Sequence, residues 1–168
     1  MIKSGLDPDF YPNVDWTNLL LKDGAMSYRA DINLNGGGNT ARYFASLAYV
    51  EDQGMYNTDE TLRKKYNTNA NYKRWNYRMN LDIDITPTTI LKLGISGNLN
   101  KRNSPGLGDQ YVWGELFGFN ALSSPVRYSN GYIPAYGRNT YQMNPWVSAT
   151  QTGYNQEWNN NIQTNITI

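Results

Sequence analysis

Arg74-Trp75-Asn76-Tyr77-Arg78-Met79-Asn80-Leu81-Asp82-Ile83-Asp84-Ile85 alternates polar and apolar side chains without a break. A period of two belongs to a β-strand, whose successive side chains point to opposite faces. One face of this ribbon is therefore Trp75, Tyr77, Met79, Leu81, Ile83 and Ile85, and the other is Arg74, Asn76, Arg78, Asn80, Asp82 and Asp84. Strands in globular proteins average about five or six residues. The ribbon is about twice that, so the medium that wets its apolar face decides the fold.

Four further segments share the pattern, giving strands near 27–35, 42–51, 74–85, 90–100 and 157–168. In the second, Phe44 and Val50 fall on the nominally polar side. Gly36-Gly37-Gly38-Asn39 reads as a tight turn able to take positive φ, and Thr86-Pro87-Thr88-Thr89 as another, because Pro presets its φ and donates nothing to a ladder. Residues 52–72 form a long connection with a helical turn around Asp59 to Tyr66. Residues 101–156 form a longer one, punctuated by Pro105, Gly106, Gly108, Pro125, Gly131, Pro134, Gly137 and Pro145.

The chain has 168 residues, the length of one ordinary domain, with 15 Lys and Arg against 14 Asp and Glu. Its only dense basic cluster is Arg63-Lys64-Lys65, so the footprint of a nucleic-acid binder is missing. Cys and His are absent, which removes thiolate and imidazole metal sites, His-paired nucleophiles and disulfides. The chain carries instead 23 Asn, 15 Gly, 14 Tyr and 5 Trp. Asn and Gly mark turns and wet surfaces, whereas Tyr and Trp suit the border between water and an apolar medium.

The longest aliphatic run is Leu19-Leu20-Leu21, far short of a spanning helix. Strands span membranes differently. Twelve residues at about 3.3 Å rise, tilted about 45°, cover roughly 28 Å, close to a bilayer's apolar band. Connections that alternate short and long match the short periplasmic turns and long outer loops of an outer-membrane barrel, and a loop of over fifty structureless residues argues against a compact domain. The expected fold class is all-β: antiparallel up-and-down strands forming part of a transmembrane β-barrel, with one short helix in a long extracellular loop. Residues 1–168 are then one partial-barrel segment. No secretory signal precedes it, so any export address is expected outside these residues.

Few residues suggest chemistry. Asp31-Ile32-Asn33-Leu34-Asn35-Gly36 imitates the opening of a calcium loop, but position twelve is Arg42 where a bidentate Glu is needed, and Ile32 and Leu34 keep strand period. Asp82 and Asp84 share a face as paired catalytic carboxylates do, yet Arg74 and Arg78 lie there too, and a solvated charge network accounts for all four. Gly106-Leu107-Gly108 lacks the third glycine of a phosphate cradle. No catalytic, cofactor or metal residue is assigned.

The long loop carries the stronger signal. Val112, Leu116 and Phe119 stand at i, i+4 and i+7, with Trp113 beside Leu116 and Phe117, and the spacing predicts a short amphipathic helix that tolerates Gly114 and Gly118. Two readings stay open: a helix that pins the loop to its own barrel, or a docking surface for a lid protein or ligand. Trp113, Phe117, Tyr128, Tyr132, Tyr136, Tyr141 and Trp146 are the candidate contacts.

Tyr11-Pro12-Asn13-Val14-Asp15-Trp16, Gly36-Gly37 followed by Thr40 to Tyr49, Gln53-Gly54, Tyr72 to Arg78 leading into Asn80 to Asp84, Asn103-Ser104-Pro105-Gly106 and Asn144-Pro145 form an ordered series. From about residue 8 onward this series resembles the early barrel region of SusC-like TonB-dependent outer-membrane receptors. The resemblance implies a nutrient importer of Bacteroidetes-type bacteria, with a plug inside a barrel of roughly 22 strands. It further implies a SusD-like lipoprotein lid, energy from TonB through the plug, outer-membrane lipid around the barrel, and an oligosaccharide or peptide cargo. Plug, TonB-contacting segment and C-terminal strand are not among these residues, so about five strands are expected here. Two other classes remain: a soluble β-rich carbohydrate-binding or adhesin module whose apolar sheet face packs a core, and a hydrolase using Asp82 and Asp84.

Overall fold

The computed structural model describes residues 7–134 and 144–168. Five strands, β1 (Ser27–Gly37), β2 (Ala41–Asp52), β3 (Tyr72–Thr86), β4 (Thr89–Pro105) and β5 (Tyr154–Thr167), form one antiparallel sheet in the order β1-β2-β3-β4-β5. The all-β antiparallel expectation holds, and the strands are longer than their alternation suggested: β4 alone has 17 residues. Ser27 lies opposite Asp52 and Tyr72 opposite Arg102, so both long connections and the segment before β1 join the sheet at one end. The two short turns join it at the other.

The turn after β1 differs from expectation. Its glycines do not take positive φ, which occurs among glycines only at Gly108, Gly131 and Gly153 in the described residues. At Gly36 the Tyr43 ring of β2 lies close instead: a Cβ there would meet its hydroxyl oxygen at 2.6 Å and the ring would have to shift. Phe44 and Val50 do lie on the polar side, opposite Asn80 and Arg74.

Contacts divide the chain into two compact units where the sequence reads as one segment. The first is the sheet, Met26–Gln53, Asn71–Arg102 and Gln156–Ile168. In register across β1 to β4, its apolar face opens with a row of Tyr28, Glu51, Lys73 and Lys101, followed by Ala30, Tyr49, Trp75 and Leu99. Next come Ile32, Leu47, Tyr77 and Gly97, then Leu34, Ala45, Met79 and Ile95, then Gly36, Tyr43, Leu81 and Leu93. None of these side chains is buried; Ile32 is 70% exposed and Met79 49%.

The second unit comprises the described residues of the segment ending at Ala25, of Gly54–Ala70 and of Asn103–Asn155. Two expected elements are present, the helical turn after Asp59 as α2 (Glu60–Arg63) and the loop helix as α3 (Asp109–Gly118), and two more are added, α1 (Trp16–Leu20) and α4 (Pro145–Thr150). Local caps explain the added ones. The Asp15 carboxylate accepts from the Asn18 N–H at 3.1 Å to start α1, and Asn144 Oδ1 accepts from the Val147 N–H at 2.9 Å to start α4, with Pro145 in the first turn. One to three residues from each segment, Trp16, Leu20, Tyr56, Val112, Leu116 and Ala149, close a small core.

The Asn, Gly and Pro motifs hold this unit together. Asn69 Oδ1 accepts from the Tyr56 N–H at 3.1 Å while its Nδ2 donates to the Gly54 carbonyl at 2.9 Å. Asn103 Nδ2 donates to the carbonyls of Asn67 and Asn69, both at 2.8 Å. Gly54 is fixed by the same contact, since a Cβ there would sit 2.6 Å from the backbone N and O of Ala70.

Candidate functional site

The predicted amphipathic helix exists as α3, and its two faces do different work. Val112 and Leu116 are fully or nearly buried in the core of the second unit. Phe119 caps the helix and meets the Trp16 ring edge-on at 5.5 Å. The helix therefore packs on the other loop segments, and no residue of the five strands belongs to that core. Gly114 and Gly118 face open space, so neither is required by packing.

On the opposite face, the Trp113 ring lies nearly parallel to Phe117, with centroids 5.6 Å apart and 19° between the planes. Trp113 is half-buried against Tyr56, at 6.0 Å, while Phe117 is 81% exposed. A rigid ring thus supports an exposed one. Half-buried Glu115, on the same helix, has its carboxyl raised above its ordinary value by loss of solvent, with the Ser148 and Tyr111 hydroxyls pulling partly against that.

The other predicted aromatics separate. Tyr128 and Tyr132 share a turn in which the Tyr128 N–H donates to the Tyr132 carbonyl at 2.9 Å, and Tyr132 is 74% exposed. Trp146, like Trp113, is half-buried and packs against the core. Tyr136 and Tyr141 lie outside the described residues. A pair not foreseen, Tyr66 and Tyr154, stacks at 6.3 Å and 26°. Tyr66 lies in the connection before β3 and Tyr154 opens β5, so no local pattern marks them.

On the sheet, the two faces are chemically opposed. At the end where the long connections join, the apolar face finishes in the Glu51–Lys73 ion pair at 3.0 Å, the Tyr49–Trp75 ring contact at 5.3 Å, and Lys101 Nζ 4.7 Å above the Trp158 ring. Tyr49 also donates its hydroxyl to Glu51 at 2.6 Å. Aromatic rings with charged tips beyond them are the arrangement of a membrane interface.

The polar face carries the carboxylate pair considered above. Asp84 is gripped by Arg42 of β2 through two bonds, 3.0 and 2.8 Å, and not by the arginines of its own strand. Residues four apart on a strand are roughly 13 Å apart, whereas cross-strand neighbours are about 5 Å apart. Asp31 to Gly36 stand within β1, so the calcium-like spelling is strand sequence.

An open antiparallel sheet with one exposed apolar face and one polar face fits part of a β-barrel wall. Its sequence is similar to that of TonB-dependent receptor P26 of Formosa agariphila, at 32% identity over 92 residues. The matched stretch is 55% of this chain and 8% of that receptor, so the chain spans only a small part of the relative's length. That likeness supports the TonB-dependent receptor family. No family model matches the chain, and no solved structure does.

Proposed function

We propose that the chain is a partial-barrel segment of a SusC-like TonB-dependent receptor in the outer membrane, a non-enzymatic importer of glycans or peptides. The observation that carries the proposal is the uncovered apolar face of the sheet. From Trp75 to Ile85 it runs ten residue steps, roughly 33 Å, which at a tilt of about 40° is close to the 25 Å band of a barrel. In this reading the free edges of β1 and β5 pair with further strands of the same barrel, because unpaired backbone is not tolerated in hydrocarbon. The plug reached by TonB lies elsewhere in the receptor.

No cysteine occurs among these 168 residues, so labels introduced here are compared with the unsubstituted receptor as background. Single cysteines at Leu81 and Ile83 are expected to resist a membrane-impermeant maleimide in intact outer membranes, while cysteines at Asn76 and Asn80 react through the aqueous lumen. Equal labelling of all four rejects the barrel reading.

In the same proposal, the exposed Phe117 ring backed by Trp113 is where a SusD-like lipoprotein lid docks, and Tyr128 and Tyr132, with Tyr136 and Tyr141, offer rings to cargo. Exposed aromatics on rigid supports are the usual anchors of interfaces. Replacing Trp113 and Phe117 together with Ala is expected to weaken co-purification of the lid with the receptor by about tenfold or more, the effect of losing one anchor worth about 2 kcal/mol. Undiminished co-purification removes the docking role.

A further inference from the structure

The polar face of the sheet holds a cation that nothing else in the described chain neutralises. Arg78 stands midway along β3, directly between Ser46 of β2 and Ser96 of β4. Among the described residues its guanidinium makes no ion pair and no hydrogen bond. Three cations of the sheet have partners of their own, Arg42 in Asp84, Lys73 in Glu51 and Lys101 in the Trp158 ring. The carboxylate nearest along the strand, Asp82, is four residues away, roughly 13 Å.

The surroundings of Arg78 are shaped as well as charged. Ser46, Ala48 and Ser96 are short, and they leave a depression of about 360 Å³ in which the long guanidinium side chain is the principal cation besides Arg74. Four primary amides, Asn76, Asn98, Asn161 and Gln163, line it. Arg74 Nε donates to Asn76 Oδ1 at 2.8 Å, so that amide has its acceptor occupied and its NH2 left to donate.

We infer that this depression binds a polyhydroxylated carboxylate, the size of a single sugar-acid unit, with Arg78 taking the carboxylate and the amides and serines taking the hydroxyls. A guanidinium fork matches a carboxylate in plane and through two bonds. Amides and hydroxyls, which both donate and accept, match vicinal hydroxyls. The volume suits one small ligand, and its lining is mostly amides and hydroxyls that match a polyol better than a peptide backbone. The inference rests on the proposal that this face is the wet one, and it narrows the class of cargo.

Calorimetric titration of the protein, purified in detergent, with D-glucuronate, D-glucose and triglutamate tests it. Glucuronate is expected to bind at least about tenfold more tightly than glucose, and Arg78→Gln to abolish that preference, as loss of a hydrogen-bonded charge should. Arg78→Lys keeps the charge without the fork and is expected to retain only part of the affinity. Arg42→Gln, on the same face but outside the depression, is expected to bind as the unaltered protein does. Equal affinity for glucose and glucuronate, unchanged binding by Arg78→Gln, or tighter binding of triglutamate overturns the inference. Labelling of a cysteine at Asn76 separates the two failures. If it reacts with the impermeant maleimide and glucuronate still does not bind, the sugar-acid site alone is wrong; if it does not react, the wet face is wrong and the site with it.

Discussion

Met79→Arg is expected to destabilise the inserted, folded protein by about 2–4 kcal/mol, a shift of roughly 30- to 1000-fold, because an arginine on a barrel's lipid face costs most at the bilayer midplane. Met79 marks that depth. It lies in the fourth transverse row of the apolar face, with Leu34, Ala45 and Ile95, two rows from the Trp75 and Tyr49 rings. Its neighbour Asn80 points to the other face, so Asn80→Arg changes charge and size at nearly the same depth without entering hydrocarbon. Urea unfolding of both variants in phospholipid vesicles measures the difference. A tolerated Met79→Arg beside a damaging Asn80→Arg would place water on the apolar face and return the soluble-module reading to first place.

The prediction can be made at single-residue precision because strand faces were legible in the sequence. A side-chain period of two leaves no choice of face once one residue is placed, and even Phe44 and Val50, which broke the pattern, occupy the side their parity assigns. Register is different. Nothing within β3 indicates that Arg42 would lie beside Asp84, so the four charges of that strand read as one network, and the unpaired state of Arg78 was invisible. Cross-strand distance, not separation along the chain, sets which charges meet.

The loop unit was the least legible part. Its core takes Trp16 and Leu20 from one segment, Tyr56 from a second, and Val112, Leu116 and Ala149 from a third. The five-residue α1 and six-residue α4 are too short to show a helical period, leaving only their Asp15 and Asn144 caps as signals. Trp113 and Phe117 were readable because they share one helix. Burial was the quantity most easily misjudged, because it depends on segments far off in sequence, as the packing of Trp146 against the core illustrates.

Asparagine is where that misjudgement had the widest reach, since so Asn-rich a chain reads as turns and wet surface, yet Asn69 is 5% exposed, Asn103 8% and Asn144 fully buried. Each spends its amide on backbone groups that no helix or strand satisfies, which is how irregular loops pack without orphaned N–H and C=O groups. Asn69→Ala is therefore expected to be among the most damaging changes outside the sheet. It removes two hydrogen bonds of a buried amide, the one accepted from the Tyr56 N–H and the one donated to the Gly54 carbonyl. At about 0.5–1.5 kcal/mol net for each lost hydrogen bond, the loss is roughly 1–3 kcal/mol, a sizeable share of a domain's stability. Exposed Asn18 bonds only to the Asp15 carboxylate, so Asn18→Ala should cost about 1 kcal/mol or less. Proteolysis within residues 54–70 reads the comparison directly: cleavage should accelerate steeply for Asn69→Ala and little for Asn18→Ala. Equal rates would mean that the buried amide lattice contributes nothing to the fold of the loops, and that the small apolar core holds the unit alone.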